Sequence, residues 1–247
     1  MSVLIEVDRL TKSFGPFIAV DDISFSLKRG EVLGFLGPNG AGKTTTMRMI
    51  TGFLSPTKGN ISVCGHDVSE YPIEIKEKIG YVPEGAPLYG EMTVINFLKF
   101  IANIRKIPKN KINDAIYNVI KKLGLELVLY QQVETLSKGY KRRVGLSQAI
   151  IHDPDVLILD EPTDGLDPNQ KHEVRKLIKE MASTKAIIIS THILEEVDAV
   201  CTRAMIIAKG RMIVDKSPKD LLIGSPDGAS LDDVFRTLTI GNPGDNL

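Results

Sequence analysis

Residues 23–28 alternate strictly: Ile23, Phe25 and Leu27 are apolar, and Ser24, Ser26 and Lys28 are polar. That period of two predicts a half-buried strand, and the first thirty residues read as β up to the Arg29-Gly30 turn. Val32 to Leu36 is nearly all apolar, as in a strand of a sheet covered on both faces. A helix is predicted from Thr44 to a terminating Gly52, then a loop over Ser55 to Asn60 and a short strand over Ile61 to Cys64. The middle of the chain changes period. From Met92 to Ile107, Val94, Phe97, Leu98, Ile101 and Ile104 share one helical face, and Pro108 stops the helix. A second helix begins near Asn110, carries Ile112, Ile116, Val119, Ile120 and Leu123, and closes at Gly124. Beyond it, short apolar strands at Val156 to Asp160, Ala186 to Ser190 and Ala204 to Ala208 alternate with helical patterns, which predicts a parallel sheet. Lys209-Gly210 reads as a hairpin turn into Met212 to Val214. The pattern therefore predicts one α/β domain over 1–240. It has an antiparallel β part first, a parallel core, a helical insert over about 88–150, and a disordered tail over 241–247.

Composition narrows the function classes. The 247 residues include 31 basic and 31 acidic side chains, so no global field draws nucleic acid or an anionic membrane, and no nucleic-acid partner is expected. No apolar run approaches the roughly 18 residues that span a bilayer. Met1 to Glu6 lacks the basic and apolar regions of a signal peptide. Cys64 and Cys201 fit no metal spacing and read as free thiols in a reducing compartment. Any membrane role must come through a partner.

Five short motifs carry the chemistry. Gly37-Pro38-Asn39-Gly40-Ala41-Gly42-Lys43-Thr44 is a G-x-x-x-x-G-K-T phosphate loop between a predicted strand and a predicted helix. Its glycines let the backbone turn N–H groups inward, and the helix adds its positive end. Lys43 is placed for the β- and γ-phosphates and Thr44 for Mg²⁺, with Thr45 beside it. Asp160 and Glu161 end an apolar strand, at the sheet edge where ligands bind. There Asp160 can hold the Mg²⁺ shell and Glu161 can polarise the attacking water. The alternative is two carboxylates capping the turn at Pro162. Leu136-Ser137-Lys138-Gly139-Tyr140 offers Ser137 as an N-cap and Gly139 as a site that leaves a helix N-terminus open to phosphate. Lys138, Lys141, Arg142 and Arg143 either steer nucleotide or form a solvated face. Asp167 in Gly165-Leu166-Asp167, and His192 in Ser190-Thr191-His192, complete the set. Each alone reads as a turn or surface residue.

Together, in this order, the motifs resemble the ATP-binding subunit of ABC transporters along nearly the whole chain. The resemblance implies a P-loop, RecA-like core and an ATPase with ATP and Mg²⁺ as cofactors. It implies a homodimer or heterodimer in which Ser137, Lys138 and Gly139 of one copy meet the γ-phosphate held by the other. Asp167 then lies in the loop that crosses between copies, and His192 becomes a γ-phosphate switch. Lys138 and Tyr140 depart from the usual Gly and Gln, with the Leu-Ser-x-Gly core intact. Phe14 lies where the family stacks an aromatic on adenine, with Val20 beside it; the alternative is a core Phe. Glu84 replaces the glutamine that touches Mg²⁺ and water in most relatives. The run Gly80 to Leu98 and the segment Ser230 to Thr239 look like the branch that pairs with ABC-2-type export subunits. That implies an integral membrane transporter subunit as partner and a place on the cytoplasmic face of the cell membrane. Ile95 and Phe100 fall off the buried face of their helix. They either form a partner patch or pack inside the insert. A non-transport ABC ATPase acting on another macromolecule is the rival, but there are no sustained heptads between Lys43 and Ser137. A GTPase is disfavoured because Asn110-Lys111-Ile112-Asn113 lacks the aspartate of the guanine-reading motif.

Overall fold

The computed structural model describes residues 2–85, 87–223 and 230–240, so the expectation of a disordered tail over 241–247 falls outside the described residues. An antiparallel sheet runs in the order β2-β1-β4-β5: β1 (Val3–Phe14), β2 (Phe17–Lys28), β4 (Lys58–Val63) and β5 (His66–Asp67). A second sheet runs β10-β9-β3-β8-β7-β6. Its members are β3 (Val32–Leu36), β6 (Ile79–Val82), β7 (Val156–Asp160), β8 (Ala186–Thr191), β9 (Arg203–Ala208) and β10 (Arg211–Lys216). All its pairings are parallel except β9 with β10. The helices are α1 (Lys43–Ile50), α2 (Pro72–Lys78), α3 (Val94–Ile104), α4 (Ile112–Leu123), α5 (Lys138–Ile150), α6 (Pro168–Ala182), α7 (Leu194–Val200), α8 (Pro218–Leu222) and α9 (Leu231–Ile240).

The parallel strands β3, β7 and β8 are buried at every position, which is why their sequences are apolar up to the polar ends at Asp160 and at Ser190 and Thr191. On one face, Phe35, Ile158 and Ile188 pack with Met47 of α1 and with Phe25 and Ile61 of the antiparallel sheet. On the other, Leu157, Leu159 and Ile187 share a core with Phe97, Leu98, Ile116, Leu123 and Val144. The insert is thus fused to the sheet through one apolar cluster.

The larger differences from expectation lie in α3, at the start of β4 and at Ile95 and Phe100. Helix α3 is shorter than Met92 to Ile107. Thr93 caps it by accepting from Asn96 N–H at 3.4 Å, Arg105 ends it, and Lys106 takes a left-handed φ of 54°. Ile104, expected on the buried face, is therefore 56% exposed at the open end. Residues 58–60, read as loop, start β4, because Asn60 and Lys58 pair with Asp8 and Thr11 of β1. Ile95 and Phe100 are half-buried against the insert's own core and form no exposed patch. The Lys209-Gly210 turn is as read, with φ of 50° and 79°. It also braces the phosphate loop: Gly210 N–H donates to Ala41 O at 3.1 Å, and Asp21 N–H to Gly210 O at 2.8 Å.

His152, after α5, makes the fold pH-sensitive. Its Nε2 bonds the Ile79 carbonyl at 3.2 Å, while Nδ1 is buried with no partner among the described residues. Burial first, then the Arg105 charge, pushes its pKa from 6.5 down to about 4. The unfolded chain therefore binds more protons between those values. The neutral ring's stabilisation is complete above about pH 6.5 and is lost as pH falls towards 4, at a cost of about 3 kcal/mol. His152→Gln keeps a donor for Ile79 and cannot titrate. Urea titrations at pH 7 and pH 4 should show wild type losing about 3 kcal/mol more than the variant. Parallel losses would exclude His152 as the source.

Candidate nucleotide site

The phosphate loop is held open by contacts that no side chain at residue 42 would survive. Gly42 caps α1 with φ of 105°, and a Cβ there would lie 2.5 Å from the Ala19 carbonyl oxygen. Lys43 follows, its side chain buried within the loop it belongs to. Its ammonium donates to the carbonyls of Gly37 at 2.6 Å and Pro38 at 3.2 Å. Burial lowers the Lys43 pKa, and the carboxylates of Glu161, Asp160 and Glu84 oppose that shift. One residue on, Thr44 Oγ1 donates to Asp160 Oδ2 at 3.2 Å.

Asp160 ends β7 opposite Ser190 of β8, so the parallel register carries it to the mouth of the loop. Glu161 leaves the strand with a left-handed φ of 51°, uncommon for a residue with a side chain. Its N–H donates to Ser190 O at 2.9 Å, and its Oε1 lies 2.9 Å from His192 Nδ1. The Glu161 side chain is mostly buried, and His192 is open to solvent. The side-chain bonds of Asp160 and Glu161 go to Thr44 and His192 rather than to the backbone of the Pro162 turn, and both residues line the same cavity as Lys43.

That cavity, of about 420 Å³, gathers Phe14, Glu84, Asp160 and Glu161 with Asn39, Gly40, Ala41, Gly42, Lys43, Thr44 and Thr45. Gly37 and Pro38 lie behind it, under the Lys43 ammonium. Phe14 is half-exposed and lines the opening, which excludes the core alternative. Phe17 and Ala19 also line it and were missed; neither stands in a motif. Val20 is fully buried in the core and reaches only the underside of Gly42.

Ser137, Lys138, Gly139 and Asp167 do not line this cavity. Ser137 caps α5 as expected, accepting from Tyr140 N–H at 3.4 Å. Gly139, expected to leave that helix end open, is buried instead. A Cβ there would sit 2.2 Å from the amide of Gln170, so the glycine makes room for that side chain. Asp167 caps α6, accepting from the Gln170 N–H at 3.0 Å. The helix end that begins with Ser137 and the turn that carries Asp167 are therefore packed together through Gln170. Arg142 was read as nucleotide-steering or solvated and is neither. Its Nη2 donates to the carbonyl of Asp160 at 2.9 Å and to that of Glu161, and its Nε to Pro162 O at 3.0 Å. Burial lowers its pKa, against the pull of Asp164, Asp160, Glu161 and Glu84. Nothing in a basic run on an amphipathic helix signals such an inward turn.

A hydroxyl and a carboxylate 3.2 Å apart, with a second carboxylate across the cavity, are hard oxygen donors suited to Mg²⁺. Mg²⁺ typically takes one or two carboxylates, keeps waters and shares phosphate oxygens, so no dense protein cage is required.

The sequence model of the ABC transporter family matches residues 20–164. The uncharacterized ABC transporter ATP-binding protein YhcH of Bacillus subtilis is 39% identical over 231 residues, covering 92% of this chain and 74% of that protein. The Nod factor export ATP-binding protein I of Cupriavidus pinatubonensis is 34% identical over 236 residues, covering 95% and 72%. A solved ATP-binding subunit of an ABC transporter superposes with a TM-score of 0.87 at 30% identity, covering 95% of this chain and 99% of that one. The chain belongs to the ABC transporter family. It is an ATP-binding subunit with ATPase activity, working with a membrane transporter subunit.

Proposed function

We propose that residues 1–240 form one nucleotide-binding domain that hydrolyses MgATP between two copies and drives export through a separate membrane protein. The convergence of Lys43, Thr44, Asp160 and Glu161 on one cavity carries this reading. The adenine stacks on Phe14, with Phe17 beside it. The β- and γ-phosphates take the loop N–H groups, and the Lys43 ammonium turns from the Gly37 and Pro38 carbonyls to meet them. Thr44, Asp160 and Glu84 would hold Mg²⁺, which when bound would neutralise negative charge on the triphosphate. Glu161 takes the proton of the attacking water, a role typically worth ~10²–10⁴ in rate. His192 orients the Glu161 carboxylate and faces the γ-phosphate. Ser137, Lys138 and Gly139 of a second copy, homologous or identical, close the site over the γ-phosphate, with Asp167 crossing beside them. Phosphoryl transfer of this kind rests on positioning and charge neutralisation.

Export is favoured by the likeness to the Nod factor export protein. No described helix is long and apolar enough to cross a membrane. In the proposed assembly the path lies in the partner, and this subunit sits on the cytoplasmic face. The docking surface is a groove of about 1690 Å³ between the sheet and the insert, in place of Ile95 and Phe100. Exposed Phe53, Ile73 and Ile104 supply apolar contacts along it. Basic side chains outnumber acidic ones on its walls, with Arg48, Lys76, Lys106 and Lys111 among them. A short amphipathic segment with acidic residues fits such a surface. Pro83 and Pro87 line the groove while Glu84 lines the nucleotide cavity, so one loop touches both. In detergent extracts of the native membrane, tagged wild type should co-purify an integral membrane protein. Ile104→Asp should lose it while keeping its melting temperature and basal hydrolysis. Undiminished capture by Ile104→Asp would reject the groove, and no membrane protein with either would reject the transport reading.

A further inference from the structure

Residue 161 carries the carboxylate proposed as base, yet its backbone is left-handed, a conformation that persists only where surrounding contacts impose it. The contacts that impose it here are few. The Glu161 N–H is tied to Ser190 O at 2.9 Å. On the carbonyl side, Asp164 N–H reaches Glu161 O at 3.3 Å, a long bond across a tight turn. The side chain is tied to His192 Nδ1 at 2.9 Å, and the backbone is held further by Arg142, whose one guanidinium takes the carbonyls of Asp160, Glu161 and Pro162 together. Three successive carbonyls fixed by one planar fork leave the peptide units on either side of residue 161 little freedom.

Arg142 belongs to α5, the helix that Ser137 caps and on which Gly139 lies. It sits in the second turn. Farther along, Val144, Leu146 and Ala149 are buried in the core shared by the insert and the sheet. The start of α5 and the backbone of Glu161 are therefore joined through one rigid helical segment and one side chain. Resting on the two-copy reading above, we propose that Arg142 is a positioning residue that couples the two nucleotide sites. The start of α5 contacts the γ-phosphate held by the second copy, and Arg142 passes that contact to the Glu161 of its own chain. The Glu161 carboxylate then reaches its working position only when the opposite site is filled. A guanidinium is required, because an ammonium at residue 142 offers no planar fork to span three carbonyls.

The test uses the full chain with Arg142→Lys and Arg142→Gln. Steady-state hydrolysis is measured against MgATP, binding with the non-hydrolysable analogue MgAMP-PNP, and folding by melting temperature. Wild-type hydrolysis should be cooperative in MgATP. Both variants should lose at least about tenfold in kcat, lose the cooperativity, and bind MgAMP-PNP and melt as wild type does. A kcat near wild type in Arg142→Lys would overturn the proposal, because charge without the fork would then suffice. A kcat loss with cooperativity retained would overturn the coupling. A kcat loss that merely follows a lower melting temperature or weaker analogue binding would make Arg142 a structural peg. Wild-type hydrolysis without cooperativity in MgATP would overturn the coupling, whereas a wild-type rate per molecule that does not change with protein concentration would remove the two-copy reading on which it rests. That failure is recognised separately, because it appears before any residue is changed.

Discussion

Glu161→Gln should bind MgATP as tightly as wild type and hydrolyse it at least about a hundredfold more slowly. The substitution keeps the side chain's length and its ability to accept from His192, now across the 2.9 Å seen for the carboxylate. It removes the carboxylate that lines the cavity beside Lys43 and is bonded to His192 rather than to the Thr44 hydroxyl. Nothing in the phosphate cradle changes, so affinity is retained. The closed two-copy state then forms and cannot resolve, so the variant should run as a dimer with MgATP and as a monomer without it. Turnover near wild type would move the base elsewhere. Loss of ATP binding would show that Glu161 shapes the cradle instead.

Lys43→Ala should fail one step earlier. The Lys43 ammonium is the cation that the loop itself encloses, resting on two of its carbonyls and facing three carboxylates. Without it the triphosphate loses two charge-assisted contacts, each worth roughly 1.5–3 kcal/mol, so MgATP affinity should fall by about a hundredfold or more. Folding should be little affected, because the substitution also removes a desolvated charge. Equilibrium binding of MgATP together with a melting curve separates the outcomes. Wild-type affinity in Lys43→Ala would show that the loop binds by its backbone alone. A collapsed melting temperature would show that the ammonium serves the fold rather than the ligand.

The elements that were legible are those whose burial is two-sided. Val32–Leu36 and Val156–Asp160 were read with the bounds the structure gives, because a strand covered on both faces leaves an unbroken apolar run. Gly124 closes α4 with φ of 59°, the signal a terminal glycine carries. The errors fall where local pattern and tertiary pairing disagree. The helix read as far as Ile107 stops after Ile104, at Arg105 and Lys106, neither a recognised breaker. Lys58 and Asn60 are polar, yet join β4 because β1 offers them partners. The phosphate loop and the Asp160-Glu161 pair were legible because their chemistry is contiguous in sequence. Phe17, Gln170 and Arg142 were not, since each acts on residues that only the fold brings near. Val20 was placed by likeness to the family and lies in the core.

The central claim is that one chain holds only part of a working site. Phe14, Lys43, Thr44, Asp160 and Glu161 line a shared cavity, while Ser137, Gly139 and Asp167 lie outside it. The most direct measurement is the rate of ATP hydrolysis per molecule of purified wild-type chain, at saturating MgATP, as protein concentration is raised. If two copies complete each site, the rate per molecule climbs with concentration and levels off once pairing is complete. A rate per molecule that stays flat from the most dilute sample upward, with the protein monomeric by light scattering, would mean that a single copy carries the whole reaction. That result would contradict the account.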